Sequence, residues 1–167
     1  NELCEYDIKN NHLIDFESLL STGFSFFTLR FNTNCIENYV NFLLEHGADP
    51  NVPDKNDVYP LEHAIQMESY PYVLALINSD RIDYSVKIKN KSSLYRTKKA
   101  FLTDAKYKSY LHLAARINNI DILNVFLDRN LIDINITDDL GETPLMEATR
   151  FQKIASVQIL FKRDDLD

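Results

Sequence analysis

Four histidines, two cysteines and a surplus of carboxylates are the side chains of this 167-residue chain that can relay protons, ligate metals or attack an electrophile. Their spacing does not assemble them. His12, His46, His63 and His112 never fall at the short separations that place two imidazoles on one metal ion. Cys4 and Cys35 make no close thiol pair. Cys35 and His46 fall on one predicted helix, but about three turns separate them, too far for a thiolate and its base. Gly23, Gly47 and Gly141 are the only glycines, each at a predicted turn, so no glycine-rich phosphate cradle exists. The sequence therefore implies no catalytic residues, no metal site and no cofactor.

Charge is the second kind of chemistry available. The net charge is −7, yet Lys87, Lys89, Lys91, Arg96, Lys98, Lys99, Lys106 and Lys108 face only Asp104 between residues 84 and 108. That stretch carries +7, which leaves −14 on the rest of the chain. Such a basic segment, with Tyr84, Tyr95 and Phe101 interleaved, suits an anionic ligand such as nucleic acid or phospholipid. The acidic remainder repels extended polyanions, so the stretch is expected first to pair with that acidic body or sit solvated, next to meet a protein partner's acidic patch, and last to meet phosphate. Ile82, Tyr84, Val86 and Ile88 alternate with polar residues, the period of a half-exposed strand. Leu94-Tyr95 is a candidate return strand of a hairpin; disorder, or a short helix near Lys98–Lys106, is the competing reading, and both stay open.

The elements that position these side chains repeat. Gly141-Glu142-Thr143-Pro144-Leu145-Met146-Glu147-Ala148 recurs as Ser109-Tyr110-Leu111-His112-Leu113-Ala114-Ala115 and as Tyr59-Pro60-Leu61-Glu62-His63-Ala64. Phe42-Leu43-Leu44-Glu45-His46-Gly47-Ala48-Asp49-Pro50-Asn51 is the other half of the unit. Thr143 and Ser109 are expected N-caps, and Pro144 suits a first helical position. Two short helices per unit follow from the periodicity. Leu61, Ala64, Ile65, Val73, Leu76 and Ile77 are expected inside one unit, and Leu111, Ala114, Ala115, Ile120, Ile122, Leu123, Phe126 and Leu127 inside another. Leu145, Ala148, Thr149, Ile154, Val157, Leu160 and Phe161 are expected inside the last.

These phrases resemble the ankyrin repeat, a β-turn plus helix–turn–helix unit of about 33 residues. The resemblance implies an all-α solenoid, one domain over 1–167, of about four to five stacked units. These fall at about 1–23 (partial), 24–53, 54–83, 104–137 and 138–167, with a basic insert at 84–103. Gln152 and Glu68 stand where the family places glycine between the helices, so those turns are expected to be reshaped. His112 resembles the family's hydrogen-bonding histidine. Partners of the family contact the turn tips and the exposed side of the first helices. Here those positions are Lys55, Asn56, Val58, Gln66, Met67, Arg116, Ile117, Asp139, Leu140, Glu142, Arg150 and Phe151, with Lys106 and Lys108 also at the tips. Met67, Ile117 and Phe151 share one slot and are expected to form an apolar stripe.

The function expected is protein–protein recognition, as an adaptor or scaffold that is monomeric by itself. Two alternatives remain open: an insert that binds an anionic ligand, and a fragment that serves as the targeting arm of a larger enzyme or effector. Few cysteines point to a reducing, intracellular compartment, cytoplasmic or the host cytosol of a pathogen effector. An Asn-, Ile- and Lys-rich composition fits an AT-rich source, viral, protist or intracellular-bacterial. The missing initial Met suggests an excised piece.

Overall fold

The structure is a computed structural model that describes residues 33–89, 107–117 and 119–163, with side chains from Ile36 onward. The expected units before residue 33, the Leu94-Tyr95 strand and the Lys98–Lys106 helix lie outside these residues. Among the described residues the elements are α1 (Thr33–Glu45), α2 (Pro60–Gln66), α3 (Tyr70–Asn78), β1 (Ile88–Lys89), β2 (Tyr107–Lys108), α4 (Tyr110–Arg116), α5 (Ile120–Asp128), α6 (Pro144–Arg150) and α7 (Ile154–Phe161). Seven short helices and one two-stranded ladder make the all-α repeat architecture that the periodicity implies.

The chain divides into two compact units, Asn1–Asp83 and Tyr84–Asp167, where the sequence implied one domain. In the first unit α1 and α2 both pack on α3; in the second, α4 packs on α6 and α5, and α7 joins α6. Leu61, Ala64, Ile65, Val73, Leu76 and Ile77 are buried as expected, as are Leu111, Ala114, Ala115, Ile122, Leu123, Phe126 and Leu127.

The last helix pair departs from expectation. Ala148 and Leu160 are buried, but Thr149 is exposed and turns its hydroxyl back to the Leu145 carbonyl at 2.8 Å. Ile154 and Phe161 are 69% and 73% exposed. Leu127, in the Phe161 slot one unit earlier, is only 3% exposed because α7 lies against its own helix pair. The spacing of apolar residues marks a face that can be buried, and only a neighbour buries it.

Turn geometry repeats to the atom. Asp54 N–H donates to the Val58 carbonyl, and the Asp54 carboxylate accepts from the backbone N–H groups of Asn56 and Val58. Asp138 does the same with Glu142 and Leu140. Asp57 and Gly141 take positive φ at the matching place, 58° and 77°. Between the helices, Glu68 and Gln152 adopt φ of 52° and 55°, the left-handed conformation for which glycine is suited. A left-handed non-glycine residue costs about 1–2 kcal/mol, whereas glycine loses about 0.4–1 kcal/mol more chain entropy on folding. The first term is the larger at exposed sites such as these. Glu68→Gly and Gln152→Gly are each expected to stabilise the fold by about 0.5–1 kcal/mol, read as raised thermal unfolding midpoints.

The insert enters at a different place from the expected 84–103. β1 and β2 pair antiparallel, with Ile88 opposite Lys108 and Lys89 opposite Tyr107. Ile88 thus takes the slot of Asp54 and Asp138, and Lys108 that of Val58 and Glu142. Both spacings confirm it, since Asp54 to Ile88 and Lys108 to Glu142 are each 34 residues. Residues 89–107 therefore replace the three tip residues Lys55–Asp57 or Asp139–Gly141 of the other units. The insertion grows out of a turn tip, and the connection between repeats keeps its ordinary length.

Candidate recognition surface

The second unit gathers most of the charged residues that the sequence marked. Ser109 caps α4, which sets Lys108 at the end of β2 and directs it under α6. Lys108 is 2% exposed, and its Nζ meets Glu147 Oε2 at 2.6 Å; the Glu147 side chain is wholly buried. Arg150 donates to the same oxygen at 2.5 Å and pairs with Glu142 at 3.1 Å. Arg116 completes the ring at 3.8 Å from Glu147 Oε1. Three cations thus converge on one buried carboxylate. Such an arrangement is stable only while every member stays charged, because any orphaned ion would sit in low dielectric.

Phe151 closes this cluster on the outside. The Arg116 and Arg150 guanidinium carbons lie 5.1 and 5.2 Å from its ring centroid, within cation–π range. Phe151 itself remains 38% exposed, and Leu140 at the adjoining turn tip is 56% exposed. Ile117 is half-buried, its carbonyl accepting from the Ser156 hydroxyl at 3.4 Å. Asp139 is exposed and accepts the Tyr107 N–H at 3.2 Å. Arg116, Glu142, Arg150 and Phe151 are therefore brought together, with Ile117 next to Arg116 in the chain and Asp139 and Leu140 on the turn tip that precedes Glu142.

The remaining predicted repeat positions belong to the first unit. Lys55, Asn56, Gln66 and Met67 are exposed in the first unit and Val58 is half-buried. Asn56 donates to Asp54, and Gln66 to Glu62 Oε1 at 2.9 Å. Met67 is 41% exposed. Of the insert residues, Lys87 and Lys89 are exposed, while Lys91, Arg96, Lys98 and Lys99 lie outside the described residues.

Sequence reasoning did not foresee that Glu147 and Lys108 are buried partners. Their 39-residue separation carries no periodic signal. The one available hint was a carboxylate at the His63 and Leu113 slot, on the inward side of a short helix.

His112 sits fully buried between units of the stack. The Ser109 N–H points at Nδ1, so Nδ1 accepts and Nε2–H donates to the Glu142 carbonyl at 2.9 Å. The Ser109 hydroxyl is 2.8 Å from Nδ1. Burial lowers its pKa from the ordinary range, opposed by the Glu142 carbonyl and by the charges of Asp138 and Glu147, and assisted by Lys108. The neutral ring is thus a structural link, as the sequence implied. Among the described residues, no His, Cys, Asp or Glu cluster is placed to hold a metal, and no helix is long and apolar enough to cross a membrane.

Capped first helices, paired second helices and turn tips with one recurring hydrogen-bond pattern define a helical repeat protein. A family model described as ankyrin repeats (three copies) matches residues 90–167. That match supports an ankyrin-repeat family, and with the mostly helical architecture it fits an all-α repeat solenoid. Members of that family typically mediate protein–protein interaction without catalysing a reaction. No curated protein matches the chain.

Proposed function

We propose that the chain is a protein-recognition module, an adaptor or scaffold with no catalysis of its own, and that its second unit carries the contact surface. The observation that supports this is Phe151, an aromatic ring 38% exposed yet held on a guanidinium-lined bed. An apolar centre with a polar rim is how interaction sites are built. The ring's neighbours are fixed through Glu147, so it is presented without much ordering cost on binding. The low cysteine count supports an intracellular setting, and a monomer suffices for this mode of display.

The test is quantitative capture of the partner, with intact protein compared with Phe151→Ala and with Ile117→Ala. Each substitution is expected to weaken capture by about 1–3 kcal/mol if its side chain anchors the interface. Asp121→Ala, on an exposed position of α5, should leave capture unchanged. Unaltered capture by both anchor variants, with intact helical circular dichroism, would remove this surface from consideration.

A further inference from the structure

The α6–α7 pair presents an apolar face. One 34-residue period earlier, Leu111, His112, Ala115, Leu123 and Leu127 are buried, with α6 packed on α4 and α7 on α5. Their counterparts are Leu145, Met146, Thr149, Val157 and Phe161. Leu145 and Val157 are half-buried, and Met146, Thr149 and Phe161 are exposed. All five gain exposure together, as a face does when no further layer covers it. Ile154, Val157 and Phe161 fall at i, i+3 and i+7, one side of α7. A repeat that closes a stack needs a polar outer face for solubility, and Leu145, Met146, Ile154, Val157 and Phe161 give this pair the opposite. The sequence names the kind of layer that fits. Ala48-Asp49, Ile82-Asp83 and Ile132-Asp133 each follow a second helix, and the apolar member of each stands six residues before the start of the next turn tip, at Asp54, Ile88 and Asp138. Leu166-Asp167 falls one period, 34 residues, after Ile132-Asp133.

We propose that the α6–α7 face seats a further repeat of this same chain, formed by residues that follow Asp167, and that 138–167 is an internal unit of the array. The first helix of that repeat covers Leu145 and Met146 as α6 covers Leu111 and His112. Its second helix covers Val157 and Phe161 as α7 covers Leu123 and Leu127. A second copy of the chain fits this face less well. A symmetric pair sets like face on like face. The seams of this fold instead join each second helix to the one a period later, α1 to α3 and α5 to α7. Leu166-Asp167 repeats the apolar-acidic step that precedes a new turn tip in three earlier places, so the continuing chain is the occupant in register.

Expression of the natural reading frame carried one 34-residue period past Asp167, beside the 167-residue chain, tests this. The longer chain is expected to unfold at a higher temperature. Phe161→Ala distinguishes a seated repeat from a tail that stabilises by other means. In the 167-residue chain, where this ring is 73% exposed, the substitution should lower the folded-to-unfolded ratio by no more than about fivefold. In the longer chain it should lower that ratio by about thirtyfold or more, as a core truncation does. A reading frame that stops at or shortly after Asp167, an unchanged unfolding temperature, or an equal effect of Phe161→Ala in both chains would overturn the proposal. So would sedimentation of the longer chain as a dimer that Phe161→Asp dissociates, because a second copy would then hold the face.

Discussion

Glu147→Ala is expected to destabilise the fold by about 3–5 kcal/mol, the cost of breaking a buried ion pair by removing one partner. The substitution leaves the Lys108 ammonium, 2% exposed, without its 2.6 Å counter-ion, and sets Arg150 and Arg116 against each other across the vacated site. Against a total stability of about 5–15 kcal/mol, this is enough to unfold a marginal unit. Chemical denaturation measures it. Removing Arg163, whose pair with Asp128 is 31% and 67% exposed at 3.1 Å, should change stability by no more than about 1 kcal/mol. The contrast lies in burial, since both pairs have ordinary geometry. Lys108→Met combined with Glu147→Leu should recover much of the loss, because a well-packed apolar pair carries no desolvation cost. If Glu147→Ala is as mild as the surface change, the cluster is not the anchor of Phe151.

Local signals made much of this legible, and long-range ones did not. Pro60 and Pro144 at helix starts, Ser109 and Thr143 as caps, and Asp54 and Asp138 at turn tips are all determined within a few residues, so the units could be read directly. The positive φ at Glu68 and Gln152 was legible too, as a missing glycine in a repeating slot. The root of the insert was not. Strand alternation implied an extended run from Ile82 through Ile88, yet residues 84–85 form a turn and only Ile88–Lys89 is a strand, and nothing in the alternation says that Ile88 pairs across the insertion with Lys108. The candidate return strand was the nearer Leu94-Tyr95, because short loops are the ordinary expectation for a hairpin. Burial of Ile154 and Phe161 was likewise inferred from spacing that records a capacity only. For the surface itself, the sequence supplied the members (Arg116, Glu142, Arg150, Phe151) through repeat register. It did not supply Glu147, the group that binds them into one cluster, since a buried carboxylate is recognised by partners that lie far away in the chain.

His112 should be the next most sensitive position. His112→Ala is expected to cost about 2–4 kcal/mol, combining lost burial with the lost bond to the Glu142 carbonyl, which keeps the Asp138 N–H, and an unsatisfied Ser109 hydroxyl. Other units solve this slot differently. Glu62 uses its carboxylate locally, accepting from the Tyr59 N–H at 3.3 Å, while Met146 is 54% exposed and links nothing. The imidazole reaches across thirty residues to the next turn, so its removal uncouples helix α4 from the tip that presents Leu140. A pH dependence accompanies this role. With its folded pKa held below the unfolded value near 6.5, neutral His112 contributes stability that is complete above about pH 6.5 and is lost as pH falls through the folded value. Protonation would put a hydrogen on Nδ1, which then faces the Ser109 N–H as donor against donor. Burial also lowers the pKa of His63, against an opposing effect from Asp54, so that residue adds a loss of the same sign. Denaturation midpoints measured from neutral to mildly acid pH should therefore fall in the intact chain. They should fall less steeply, though not flatten, in His112→Gln, since His63 remains. An identical pH profile in that variant would show that His112 is charged in the folded state or open to water, and the tautomer deduced from Ser109 would be wrong.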